Sequence, residues 1–324
     1  MDRRKALILA GVAAAVGSTS LLAGCGGGGN DAPQTVPAGA PNIVQLAQAT
    51  PSLSILVEAV VAAGLAETLS GPGPFTVFAP NNDAFVALLG ELGVTKDALL
   101  KDKALLTTVL TYHVLGAKVE KAGIPIGKKI TSLQKSIFKI DTPPAGGVLS
   151  ITDGRNRKAK IITTDVQASN GVVHVIDKVI LPANKNIVET ALALAPEFST
   201  LVAAVTAANL GGTLSGTGPF TVFAPTNAAF AAALTELGIT QAALLADVPL
   251  LTKILTYHVV AGTVLKAEIP VGAAIPTVQG ETLSISAAFV ITDQRGRPSN
   301  IVITDVLTSN GVIHAVDKVI LPKP

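Results

Sequence analysis

Most of this chain is written twice. Gly73 to Pro80 reads GPFTVFAP, and so does Gly218 to Pro225. Phe75 aligns with Phe220 and His113 with His258 at an offset of 145 positions. Past Thr142–Gly146 the offset becomes 140, so Asp153 aligns with Asp293 and His174 with His314. A repeat of this length is a whole folding unit copied, because solenoid and array repeats run to about 20 to 50 residues. The change of offset marks an insertion in the first copy, and Pro143, Pro144, Gly146 and Gly147 are turn-forming residues that belong in a surface loop. The chain divides into a first domain over 42–182 and a second over 183–324, with Ala183, Asn184 and Lys185 joining the two repeats. So short a link keeps the domains in contact or nearly so.

The residues before the first copy read as a targeting segment. Arg3, Arg4 and Lys5 precede a 17-residue apolar stretch, Ala6 to Leu22, which runs into Leu22-Ala23-Gly24-Cys25. That order is a signal peptide over 1–24. The stretch is short for a membrane span and holds Gly11, Gly17 and Ser18. The small residues before Cys25 resemble a bacterial lipobox, which implies that Cys25, the only cysteine, is lipidated and holds the mature protein to a membrane. Ordinary secretory cleavage is the competing reading, and the twin arginines leave the export route open between general and twin-arginine. Gly26 follows Cys25 in place of the Asp that retains many lipoproteins at an inner membrane, which favours the outer membrane or an exposed outer leaflet of the cell envelope. Residues 25–41 are rich in Gly, Pro and Ala with no apolar periodicity, and read as a flexible tether.

Residues 1–24 hold three basic residues and one acidic residue, so without them the formal charge falls from +2 to zero. Nothing in that balance points to nucleic acid. The charge is unevenly shared: 42–182 has 14 Lys or Arg against 11 Asp or Glu, and 186–322 has 5 against 9. Interdomain docking or head-to-tail self-association is one expectation from this asymmetry; drift of solvated surfaces after duplication is the other.

Each copy begins helical. Leu53, Leu56, Val57, Val60 and Val61 recur on one face at the helical period, and Leu201, Val202 and Val205 repeat the stripe. Gly64 and Asn209 stand where that helix ends, as C-cap residues do. Asn81 and Thr226 are suited to cap the next helix, whose core face carries Phe85, Leu88, Leu89 and Leu92. A third helix with Leu105, Leu106, Val109 and Leu110 runs into Tyr112-His113. The second half of each copy turns to strands: 150–153 and 160–164 flank a turn, and NGVVHVIDKVILP and NGVIHAVDKVILP each open on a tight Asn-Gly turn into an apolar strand covered on both faces.

FTVFAPNNDAF and FTVFAPTNAAF, the Tyr112-His113 and Tyr257-His258 pairs, and the two NGV(V/I)H…DKVILP endings resemble the signature blocks of fasciclin domains, each present twice and in order. The resemblance implies an α+β fold, two tandem domains that are each a β-sandwich or wedge of about seven strands packed with helices. It also implies an extracytoplasmic adhesion or interaction role with an unidentified surface or matrix macromolecule. The family's Tyr-His region makes Tyr112, His113, Tyr257 and His258 candidates for partner contact; burial as hydrogen-bonded core residues is the alternative.

Other chemistries find little here. Two histidines per domain, without HxH or HExxH spacing, do not make a zinc site, and Asp153, Asp165 and Asp177 with their counterparts lack the close alternation of a calcium loop. The sequence has no GxSxG elbow and no phosphate-cradling GxxxxGKS. No cofactor, no metal and no enzymatic activity are expected. The basic hairpin tip with Arg155 and Arg157, followed by Lys158 and Lys160, is a candidate for contact with anionic polysaccharide or lipid headgroups, against the reading of a solvated turn. A second function class is a carrier or sensor holding a small apolar ligand between helices and sheet.

Overall fold

The computed structural model describes residues 39–142 and 147–324. The signal peptide, Cys25, nearly all of the tether and the insertion at 143–146 lie outside the described residues. Among the described residues, no helix is long and apolar enough to cross a membrane.

Helix Ser54–Ala63 stops where Gly64 turns to φ +74°, and helix Ser199–Ala207 is followed by Asn209 at φ +55°. Gly and, next to it, Asn tolerate this left-handed backbone, so the copies differ in residue and agree in conformation. Asn81 and Thr226 cap helices Asn82–Leu92 and Asn227–Leu237 by accepting from the amides of Ala84 (2.8 Å) and Ala229 (3.2 Å). The expected stripe of the first helix is rotated. Leu53, Leu56 and Val60 are buried, but Val61 is 59% exposed and Ala59 and Ala63 lie inside instead. Those small side chains let helix Lys103–Tyr112 pack close against that face.

The first domain's strands are β1 (Phe75–Pro80), β2 (Val114–Leu115), β3 (Lys129–Thr131), β4 (Ile137–Asp141), β5 (Ser150–Thr152), β6 (Lys158–Ala168) and β7 (Gly171–Ile176). They form one sheet in the order β2-β1-β7-β6-β5-β4-β3. The second domain repeats it with β8 (Phe220–Pro225), β9 (Val259–Ala261), β10 (Ala274–Pro276), β11 (Thr282–Ile285), β12 (Val290–Thr292), β13 (Pro298–Thr308) and β14 (Gly311–Val316), in the order β10-β11-β12-β13-β14-β8-β9. The closing block is central, since β7 pairs parallel with β1 and antiparallel with β6.

Two cores explain why β1 and β7 are apolar on both faces. Val77 and Ala79 pack under the helices with Leu56 and Leu106, whereas Phe78 points the other way, among Tyr112, Phe138 and Ile176. The strands thus make one sheet folded around its own second core. β6 and β13 run on to Ala168 and Thr308, past the segment the hairpin pattern marks, and each is bulged where Asp165 and Asp305 stand at φ +60°.

The described residues, with both domains, fall in one compact unit. Ile137 of the first domain packs on Leu265, Leu307 and Val312 of the second. Beside it, Lys139 Nζ meets Asp305 Oδ2 at 2.8 Å, and Lys129 Nζ donates to the Thr263 carbonyl at 2.9 Å. The Asn156 side chain pairs with the Leu307 backbone. Charge is one part of the docking, beside an apolar contact and a neutral bracket.

Candidate functional site

The Tyr-His pairs terminate helices Lys103–Tyr112 and Val248–Tyr257 and point inward; Tyr112 and Tyr257 are 0% exposed, His113 and His258 1%. Tyr112 donates its hydroxyl to the Ile137 carbonyl at 2.7 Å and accepts from the Gly154 amide at 2.9 Å. It thereby ties a helix end to β4 and to the turn after β5. Tyr257 donates to the Thr282 carbonyl at 2.9 Å. Burial raises the pKa of both phenols, that of Tyr257 to about 12.

His113 has Nδ1 2.7 Å from the Val109 carbonyl and accepts at Nε2 from the Ile180 amide at 3.0 Å. His258 repeats this with Ile254 (2.8 Å) and Ile320 (3.1 Å). A carbonyl on one nitrogen and an amide N–H on the other select the neutral Nδ1–H tautomer. A second proton on Nε2 would face a donor. Burial, the dominant cause, holds each ring's pKa down to about 4. All four side chains are internal, with their bonding capacity used by the fold, so none of them offers a ring to a partner at the surface.

The basic hairpin divides. Asp153, 1% exposed, accepts at Oδ1 from the amides of Arg155 and Arg157 and at Oδ2 from the Leu181 amide (2.9 Å) and from Arg157 Nε (3.0 Å) and Nη2 (2.8 Å). Arg157 also donates to the Val179 carbonyl at 2.6 Å and pairs with Glu91. Asp293, Arg297, Glu236 and Val319 reproduce the arrangement in the second domain. Burial opposes ionisation of Asp293, yet the amides of Leu321 and Arg297 and the Arg297 guanidinium outweigh it and hold its pKa below the usual carboxylate value. Arg155 donates to the Pro182 carbonyl. Arg157, offered by the sequence as a contact residue, is instead a bolt between the turn, the Asn82–Leu92 helix and the closing segment. The sequence shows a run of charge; it does not show the carboxylates that fold onto it.

The remaining histidines are also internal. His174 stacks on Phe78 and accepts at Nδ1 from the Asp165 amide (3.2 Å), with Nε2 2.9 Å from the Val119 carbonyl. His314 does the same with Phe223, Asp305 and Val264. Asp165 and Asp177 accept from the amides of Lys121 (2.7 Å) and Lys160 (2.6 Å), so these carboxylates cap backbone.

Lys158 and Lys160 are the outward part of the hairpin. They stand exposed on the wall of a cleft of about 900 Å³ between the domains, which Lys139 and Lys178 also line from the first domain and Lys266 and Phe289 from the second. Sequence reasoning passed over Lys139, Lys178 and Lys266, which lie far apart in the chain. A subtraction of one repeat from the other would have flagged Lys139, which aligns with Ser284. The cavities between helices and sheet are small: about 30 Å³ in each domain, under Val57 and Val60 in one and Val202 and Val205 in the other. A single water occupies about 10–15 Å³ by this measure. The apolar space a carrier would need between helices and sheet is not built there.

A duplicated α+β unit with buried Tyr-His and Asp-Arg bolts in each copy defines a tandem domain pair. The Fasciclin domain family matches residues 51–182 and 196–322, and the chain belongs to that family. It is 34% identical over 258 residues to transforming growth factor-beta-induced protein ig-h3 of Sus scrofa, covering 78% of this chain and 35% of that protein. It is 45% identical over 148 residues to protein sll1483 of Synechocystis sp., covering 44% of this chain and 74% of that one. It is 38% identical over 144 residues to the cell surface glycolipoprotein MPB83 of Mycobacterium bovis, covering 42% of this chain and 60% of that one. The chain thus spans about a third of the length of ig-h3.

Proposed function

We propose that this is a lipid-anchored binding protein of the cell envelope, acting in surface adhesion or interaction through its fasciclin domains. The observation that carries the reading is the internal use of the polar signature residues: the tyrosines, histidines and Asp-Arg pairs hold the domains together, leaving function to the outer surface of a two-domain body. The family, and a relative named as a cell surface glycolipoprotein, support the same direction. Anchoring rests on the lipobox-like Leu22-Ala23-Gly24-Cys25 and on the firm hold that more than one acyl chain gives. Gly26 after Cys25 supports the outer membrane or an exposed leaflet.

Cells expressing the full chain and a Cys25→Ser form test this. The full chain should sediment with membranes, be cleaved by protease added outside, and retain cells on a panel of matrix proteins and surface glycans; the Cys25→Ser form should leave the membrane fraction. A serine form that stays with the membrane would refute the anchor. A protein that retains on nothing, with a small molecule co-purifying, would replace binding to a macromolecule by carriage.

A further inference from the structure

The interdomain cleft carries charge beyond the Lys139–Asp305 pair that joins the domains. Five ammonium groups, those of Lys139, Lys158, Lys160, Lys178 and Lys266, line it with three carboxylates, those of Asp141, Asp177 and Asp305. Lys139 is engaged by Asp305 at 2.8 Å and Asp141 at 3.1 Å. The other four lysines have no carboxylate partner among the described residues, while Asp177 already accepts the Lys160 amide. The cleft is therefore net positive, five lysines against three aspartates, with four of the lysines outside any ion pair among the described residues.

The second repeat is an internal control. At the positions of Lys139, Lys158 and Lys160 it has Ser284, Pro298 and Asn300, and the equivalent strands β11 and β13 form all the same. The lysines are thus dispensable for the strands that carry them. A separate observation lies on the opposite wall. Phe289, a bulky residue, is held at φ +59°, and Lys266 Nζ sits 4.5 Å from the centre of its ring. Such a backbone is strained for a bulky residue and persists where the surroundings demand it, at binding sites among other places. Here it keeps an apolar face and an ammonium group together at the cleft.

We propose that this cleft binds a segment of acidic polysaccharide, a chain whose carboxylates are separated by hydroxyl-bearing rings. Lysines supply the carboxylate contacts. Between them Ser150, Thr304 and the carboxylates of Asp141 and Asp177 provide partners for hydroxyls. The volume falls within the ~300–1,000 Å³ of small-ligand sites. An anionic bilayer fits less well, since a flat headgroup plane does not reach side chains lining a concavity. This rests on the reading of the protein as a binding module and adds the chemistry of its partner.

The test is titration calorimetry of the full chain, purified in a nonionic detergent, with a galacturonic acid hexamer at low and high salt. Binding is expected, weakening with salt. It should fall at least about tenfold in Lys158→Gln/Lys160→Asn, as the loss of charge-assisted hydrogen bonds implies. That variant should keep the native melting temperature, and Lys101→Gln/Lys103→Gln, on the helical side, should bind as the native protein does. No binding of the hexamer, equal binding of its methyl ester, equal loss in both variants, or binding only to vesicles containing phosphatidylglycerol would each overturn the proposal. Retention on cells together with no hexamer binding would end this proposal and leave the binding function standing.

Discussion

Asn156 and Leu307 are joined by two hydrogen bonds across the domain boundary: Asn156 Nδ2 donates to the Leu307 carbonyl at 3.0 Å, and Asn156 Oδ1 accepts from the Leu307 amide at 2.7 Å. A side-chain amide in this position mimics one residue of a neighbouring strand and pairs Leu307 on the stretch of β13 beyond Pro298–Asn300, where β12 stops. Asn156 sits at the β5–β6 turn at φ +61°, a conformation Asn tolerates. Its counterpart, Gly296, has no side chain, so the second domain does not offer the same bracket to a further copy.

Asn156→Ala removes both bonds and leaves the Leu307 groups unpaired, each bond being worth about 0.5–1.5 kcal/mol. The expected outcome is faster amide exchange at Leu307 and a larger radius of gyration by small-angle scattering. In the native protein that radius should stay constant from low to high salt. The bracket is neutral, and Lys139 and Asp305 are recessed, at 13% and 3% side-chain exposure. A native envelope that lengthens in salt would return the docking to surface charge.

Acid should loosen both domains together. The folded pKa of His113 and His258 is about 4 against 6.5 for the free ring, so the unfolded chain binds more protons between those values. Stability is complete above about pH 6.5, declines as pH falls, and has lost the full contribution by about pH 4. By pH 5 the loss is about 2 kcal/mol per ring. Melting curves at pH 7.5 and pH 5 read it. A melting temperature that does not fall between them would mean the rings are not held neutral.

Arg157→Ala strands the Asp153 carboxylate, which is buried and accepts from three backbone amides. Breaking such a pair costs about 3–5 kcal/mol. The first domain should lose about that much stability and melt earlier, whereas Arg155→Ala, which removes one long bond to Pro182, should cost far less. Equal, small effects from the two would show that Arg157 is not a structural bolt.

Much of this fold was legible because the repeat supplied its own comparison. Gly64 with Asn209 and Asn81 with Thr226 announced helix ends through backbone chemistry that needs no tertiary context. The Asn170-Gly171 turn was legible too, but only as a turn. In space Asn170 also donates to the Leu69 and Gly71 carbonyls and accepts from the Ile43 amide, while a Cβ on Gly171 would lie 2.0 Å from the Phe75 carbonyl oxygen. The site was less legible, for the same reason throughout. Whether Tyr112 is inside or Arg157 is free depends on Ile137, Glu91 and Val179, which approach from distant segments, and Lys266 joins the four cleft lysines of the first domain only when the two domains dock.

The Tyr-His motif builds the domain, and the proposed binding lies elsewhere on its surface. Calorimetry and cell retention on one preparation of His113→Ala test it most directly. A lower melting temperature is expected for the first domain, because the Val109 carbonyl and Ile180 amide lose their partner, with undiminished retention at temperatures where the protein stays folded. An unchanged melting temperature with retention abolished would contradict it.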